Sequence, residues 1–362
     1  MSKSVGLYIH VPFCKSKCPY CDFYSVTNAD EYKEKYKKAV LRNIEKYQDV
    51  SFDTVYFGGG TPILLWKEIC DILESINSRI AEKAEITIEA NPCSTSFDAL
   101  CSLKQSGVNR VSFGLQSGND NELKALGRRH NGKEGINAVI LADKAGIKNI
   151  SADIMLGIPF QTEKSLKESL SYLTNMPISH ISAYMLKIEQ GTPFEKKMVA
   201  PADDEQMSEF YLKAVSHFKQ NGYFQYEISN FSLKGYESRH NLKYWRCEEY
   251  IGIGPSAHSY FNGKRFSVDR NLSNFIESSV QNTVITDDDP GGYDEWAMLK
   301  LRLSEGIDFK TAKNRYNIDK EHILKKCKHI PKEFIEISES GLKLTAKGFL
   351  VSNAIIGIIS DI

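Results

Sequence analysis

Strand-like and helix-like segments alternate about six times between residues 5 and 220, and this rhythm restricts the fold more than any other feature of the chain. Residues 5–10, 52–57, 84–90, 110–116, 150–156 and 180–186 read as strands. Between them, residues 30–47, 65–80, 97–105, 133–145 and 162–173 have helical character. Thr162 is a favourable N-cap, and Gly146 follows the fourth helix as a stop. Repeated strand–helix units predict a parallel sheet covered by helices, an α/β fold. Six units fall short of the eight of a closed barrel, so an open or partial (β/α)6 barrel is expected. In such folds the chemistry collects on loops at the C-terminal ends of strands. Cys14 follows the first strand, Gly58 to Thr61 the second, Glu89 ends the third, Gln116 ends the fourth and Asp153 lies in the fifth. The strands are read without regard to these residues, so the coincidence is informative.

Beyond residue 220 the rhythm is lost. Residues 223–270 are rich in aromatics, Gly and Asn, and residues 286–292 (TDDDPGG) read as a polar linker. Helical pieces, a hairpin at residues 335–344 and a last helix from Thr345 then suggest a winged-helix-like module or a plain helical cap. The expected organisation is a partial barrel over residues 1–220, an extension over 221–285, and a smaller, mostly helical C-terminal domain over 286–362. Lys+Arg and Asp+Glu both number 46, so the formal net charge is zero and no nucleic-acid partner is expected. The charge run at residues 31–38 reads as a solvated helix face. No apolar run reaches the roughly 18 residues of a membrane span. The first residues do not resemble a secretory signal, so a cytoplasmic protein is expected.

Three of the eight cysteines lie on one short loop, as Cys14-x3-Cys18-x2-Cys21. Clustered cysteines in such a chain read as metal ligands. A structural zinc ion wants four protein ligands, and His10 and Asp22 are poorly spaced to complete them. A [4Fe–4S] cubane held by three thiolates leaves one iron without a protein ligand. That iron can chelate an amine and a carboxylate, the pair offered by the methionine part of S-adenosylmethionine. One electron from the cluster then breaks the sulfur–C5′ bond and gives a 5′-deoxyadenosyl radical. Gly58 to Gly60 form a loop free of side chains that can approach a ligand closely. Glu89, Gln116, Arg128 and Asp153 at one rim read together as a nucleoside pocket. Cys70, Cys93, Cys101, Cys247 and Cys327 are expected to be small buried apolar residues.

The segments YIHVPFCKSKCPYCDF, FGGGTP, IEANP, VSFGLQS, LGRRHN and DIMLGIP, in this order, resemble the radical S-adenosylmethionine superfamily, and within it the oxygen-independent coproporphyrinogen III oxidase-like group. The resemblance extends over essentially the whole chain. It implies that Tyr8 packs by the cluster and that Gly59, Gly60 and Thr61 contact the amino-acid part of S-adenosylmethionine. It implies that Glu89, Gln116, Arg128 and Asp153 contact the nucleoside and the rest of the amino-acid part. The oxidases resemble CxxxCxxCxC, whereas here Phe23 stands two positions past Cys21, and only thirteen residues precede Cys14. The segment His240-Asn241-Leu242-Lys243-Tyr244-Trp245 instead resembles the HNxxYW signature of a sister branch, the haem chaperones. That likeness implies haem as a ligand, with His240 at the iron and His258 of GPSAHSY as a second candidate. It further implies an apo-haemoprotein recipient and a reducing electron donor of flavodoxin or ferredoxin type, and it allows a homodimer. The alternative function is radical decarboxylation of porphyrinogen propionates.

Overall fold

A computed structural model describes residues 3–360. The six expected strands all form: β1 (Lys3–Val11), β2 (Val50–Gly59), β3 (Ile80–Ala90), β4 (Arg110–Gln116), β5 (Asn149–Leu156) and β6 (His180–Met185). They pair in sequence order, each parallel to the next. The helices between them are α1 (Lys33–Ile44), α2 (Trp66–Ile76), α3 (Phe97–Gln105), a short α4 (Asp120–Ala125), α5 (Gly132–Lys144) and α6 (Glu163–Thr174).

Local chemistry explains the boundaries. Ser96 accepts from the Ala99 N–H and starts α3, and Asn131 with Glu134 makes a reciprocal capping box for α5. Thr162 caps α6 through the Ser165 N–H, as expected. In α2 the residues Ile69, Ile72, Leu73 and Ile76 form the buried stripe. Alternation within each strand sorts its side chains onto two faces. Val5, Leu7 and Ile9, Val55 and Phe57, Ile86 and Ile88, Val111 and Phe113, and Ile150, Ala152 and Ile154 belong to one continuous apolar core. Burying each of the larger ones contributes roughly 1.5–3 kcal/mol. The intervening residues are polar and nearly all buried: Thr54, Glu85, Thr87, Arg110, Ser112, Ser151, His180 and Ser182. The curled sheet therefore has an apolar outer face and a polar interior.

The sheet does not stop at six strands. After α7 (Pro193–Lys196) and α8 (Asp204–Gln220) come β7 (Phe224–Gln225), β8 (Asn230–Ser232), α9 (Arg239–Trp245), β9 (Tyr250–Ile253), β10 (His258–Phe261), β11 (Lys264–Val268), α10 (Leu272–Glu277) and β12 (Thr283–Asp287). All six strands join the same sheet, in the order β12-β11-β10-β9-β1-β2-β3-β4-β5-β6-β8-β7. β9 runs parallel to β1 and is a seventh parallel strand, while β8 closes antiparallel on β6. The edges β12 and β7 do not pair, so the barrel is open. β12 also takes in Thr286 and Asp287, the start of the stretch read as a linker. It is an exposed edge in which Val284 and Ile285 face solvent beside Thr283, Thr286 and Asp287.

The C-terminal part consists of α11 (Tyr293–Lys300), β13 (Ile307–Asp308), α12 (Phe309–Tyr316), α13 (Lys320–Cys327), β14 (Ile335–Ile337), β15 (Gly341–Leu344), α14 (Ala346–Leu350) and α15 (Ser352–Ser360). The expected hairpin is β14–β15, and β13 joins it as a third strand. Of the five scattered cysteines only Cys247 and Cys327 are buried. Cys70, Cys93 and Cys101 are half-buried, because each sits near the rim of its helix or loop and not within the apolar stripe.

Candidate functional site

The cysteine loop is closed at its base. The Cys14 N–H donates to the Val26 carbonyl at 2.9 Å, and the Val26 N–H donates to Pro12 at 2.7 Å. Phe13, just before Cys14, packs edge-on against buried Tyr36 with ring centroids 5.4 Å apart. The glycine loop after β2 is stitched to the same base: the Gly60 N–H donates to Val11 and the Thr61 N–H to Phe13, both at 2.8 Å. A Cβ on Gly60 would lie 2.7 Å from the Phe13 carbonyl oxygen and 2.9 Å from that of Val11, so glycine is required there. Gly59 has φ +110°, a conformation that favours glycine.

The two loops and the ends of β3, β4 and β5 surround a chamber of about 430 Å³. Cys14, Cys18 and Cys21 line it together with Gly59, Gly60, Thr61, Glu89, Gln116, Arg128 and Asp153. The structure thus brings ten of the expected residues to one cavity. Cys14 Sγ lies 3.5 Å from Thr61 Oγ1. One Arg128 nitrogen reaches Cys18 Sγ at 3.5 Å and Tyr20 OH at 3.4 Å, and the other donates to the Gly114 carbonyl at 2.7 Å. Among the described residues no three His, Cys, Asp or Glu groups converge on a point, as a single metal ion would require. The donor set is three sulfurs spread around one cavity, with an arginine donor on one of them. It suits a cluster with several irons and has no fourth thiolate to close it.

Carboxylates balance the arginine. Glu89 accepts from Tyr56 OH at 2.9 Å and from the Gly59 N–H at 3.0 Å. Burial pushes its carboxyl up to about 7, and burial pushes Asp153 up to about 6. Both sit in a cavity that stabilises charge poorly until a cation arrives. A ligand carrying an ammonium and a sulfonium would meet these two acids, and its carboxylate would meet Arg128.

The Tyr8 ring lies beside Gly58, next to the Glu89 carboxylate. It lines a second, larger chamber of about 810 Å³, with its hydroxyl 3.1 Å from His10 Nδ1. The two chambers share Asp22, Phe23, Glu89 and Tyr184 as a common wall. Phe23, at the position of the oxidases' fourth cysteine, is therefore part of a partition.

The HNxxYW segment forms α9, which docks on the sheet near the start of β2. Glu85 accepts from the N–H groups of Arg239 and His240 at 3.1 and 3.0 Å, a carboxylate at a helix N-terminus. Lys243 pairs with Asp53 at 2.9 Å and Glu248 at 3.2 Å. His240 is 1% exposed and both of its ring nitrogens are engaged, with Thr54 Oγ1 and with Tyr244 OH, each at 2.7 Å. Its ring stacks on Tyr56 at 5.2 Å. In this arrangement neither ring nitrogen of His240 is free, so a metal could be held there only if one of these two bonds gave way. Asn241, Tyr244 and Trp245 of the same helix do line the large chamber.

Sequence reasoning missed Tyr56, Tyr184 and Glu227, which also line the large chamber. Burial pushes the Glu227 carboxyl up to about 7. Tyr56 and Tyr184 occupy the inward, polar-side register of β2 and β6, and that alternation was the available signal.

A profile of the Radical SAM superfamily matches residues 8–173, and a profile of the HemN C-terminal domain matches residues 293–351. The chain is 35% identical to the haem chaperone HemW of Buchnera aphidicola from Schizaphis graminum, over 99% of this chain and 98% of that protein. It is 33% identical to the haem chaperone HemW of Bacillus subtilis, over 97% of each. Among solved structures, the coproporphyrinogen III oxidase HemN of Escherichia coli superposes with a TM-score of 0.83, covering 99% of this chain and 90% of that one at 18% identity. That last likeness concerns the fold. By sequence over its full length, the chain belongs to the radical S-adenosylmethionine superfamily, in the haem chaperone family of HemW.

Proposed function

We propose that the chain holds a [4Fe–4S] cluster through Cys14, Cys18 and Cys21, binds S-adenosylmethionine beside it, and takes up haem for delivery to apo-haemoproteins. The observation that carries this reading is the gathering of three thiols and seven expected ligand-contacting residues around one cavity that shares a wall with a larger, aromatic-lined one. When bound, the cluster and S-adenosylmethionine supply a route to reductive cleavage of the sulfonium. The chain's own residues do the positioning. Gly59, Gly60 and Thr61 admit the amino-acid group, Arg128 offers its carboxylate a cation, and Glu89 and Asp153 face its positive charges. Gln116, at φ +70°, ends β4 at the same wall. A small reducing protein of flavodoxin or ferredoxin type would supply the electron. No helix among the described residues is long and apolar enough to cross a membrane.

The reading is tested by anaerobic reconstitution with iron and sulfide, paramagnetic resonance of the reduced protein with and without S-adenosylmethionine, and then titration with haemin. The expected results are a four-iron signal that changes on adding S-adenosylmethionine, haem uptake, and passage of that haem to an apo-haemoprotein. Zinc in place of iron, or no haem uptake, overturns it.

A further inference from the structure

The large chamber sits beside two imidazoles that cannot bind a metal as they stand, and one that can. His10 Nδ1 is engaged by Tyr8 OH at 3.1 Å and its Nε2 by the Tyr24 carbonyl at 2.9 Å. His240, behind Tyr56, has both nitrogens taken. His258 lines the chamber as the first residue of β10, its side chain exposed. Among the described residues its ring makes no hydrogen bond. Its backbone is fixed on both sides, by pairing with Ser267 on β11 and by the preceding turn, where the Ala257 N–H donates to the Gly254 carbonyl at 3.0 Å. The imidazole is thus a free donor on a rigid strand end.

The rest of the chamber has the chemistry of a tetrapyrrole site. Its volume of about 810 Å³ is at the upper end of ordinary ligand cavities. Tyr24, Tyr244, Trp245 and Tyr250 offer flat apolar faces. Arg270 stands on the same rim and is exposed; one of its nitrogens donates to the Asp22 carbonyl at 3.1 Å. Its remaining donors suit a propionate carboxylate.

We propose that His258 is the protein's axial ligand to haem iron, that Arg270 pairs with a haem propionate, and that His240 acts only by fixing α9 so that Tyr244 and Trp245 form the wall. This rests on the reading of the chain as a haem carrier. It also suits release. A single ligand at an exposed rim leaves the opposite face of the iron open to the recipient's own ligand, whereas a ligand as deep as His240 would bury it.

The experiment is a haemin titration of reconstituted wild-type protein, His258→Ala, His258→Cys and Arg270→Ala, read by absorption and paramagnetic resonance. The wild type is expected to show an imidazole-ligated iron. His258→Ala should lose that signature and bind at least about tenfold more weakly. His258→Cys should replace it with a thiolate signature, which a folding defect cannot produce. Arg270→Ala should weaken binding without changing the signature. If wild type and His258→Ala give the same spectrum and affinity, the ligand assignment fails while haem carriage stands. If the wild type takes up no haem, the carrier reading fails and the assignment falls with it.

Discussion

Replacing His240 by Ala separates a structural histidine from a ligand. The ring makes two buried hydrogen bonds, to Thr54 Oγ1 and Tyr244 OH, and stacks on Tyr56. Thr54 is fully buried, so its hydroxyl is stranded by the change; Tyr244 loses the bond that links it to the sheet. A buried hydroxyl left unpaired costs about 1–3 kcal/mol. The lost ring contact adds roughly 0.5–1.5 kcal/mol. Together these put the destabilisation at about 1.5–4.5 kcal/mol, reaching the large values for a single substitution. The cost falls on α9 and on the strands that hold it. Urea unfolding of the apo-protein, followed by tryptophan fluorescence, should show a clearly lower midpoint. Haemin added without denaturant should still give an imidazole-ligated spectrum. An unchanged midpoint together with loss of the imidazole signature would refute the reasoning, since that is the behaviour of a ligand that carries little structure.

Glu89, Asp153 and Glu227 are all raised above their ordinary range, chiefly by burial, to about 7, 6 and 7. A folded-state value above the unfolded one means stability that is present at low pH and lost as pH rises, so the apo-protein should weaken between about pH 4.5 and 7. Glu89→Gln should remove that group's share of the loss, on the order of 3 kcal/mol, in unfolding measured across the range. By the same linkage, S-adenosylmethionine binding should release protons near neutral pH, seen as a buffer-dependent heat in calorimetry. Gly60→Ala pushes a methyl against two carbonyl oxygens of the cysteine loop, so iron and sulfide per chain after reconstitution should fall. Arg128→Ala removes a cation and an N–H donor from Cys18 Sγ, which favours the less reduced cluster; its reduction potential should become more negative in a redox titration.

Much of the small chamber was legible because its residues sit at strand ends, and strand ends can be read from spacing alone. The third helix and the fourth strand fall at the expected residues, since local caps and apolar periodicity define them. β9 was not legible. It is four buried residues with no following helix, and its partner β1 lies more than two hundred residues away in sequence. The role of His240 was not legible either. The motif marks its position, but only the fold shows that Thr54 and Tyr244 take both nitrogens. That Tyr8 also borders the larger cavity was not legible, because the curl of the sheet sets that cavity beside it. Phe23 could be named as a departure from a cysteine pattern, but not as a side chain facing two spaces at once.

That partition gives the two cavities residues in common. Asp22 and Phe23 belong to the loop that carries the thiols, and Arg270 on the far rim is tied to that same loop through the Asp22 carbonyl. A loop that shifts when iron and sulfide assemble must carry these residues with it. Whatever factor cluster assembly applies to the affinity of the larger cavity, an occupant there returns to cluster retention, because linkage between two sites is reciprocal. Occupancy of the larger cavity and retention of iron in the smaller would then be two measurements of one coupling.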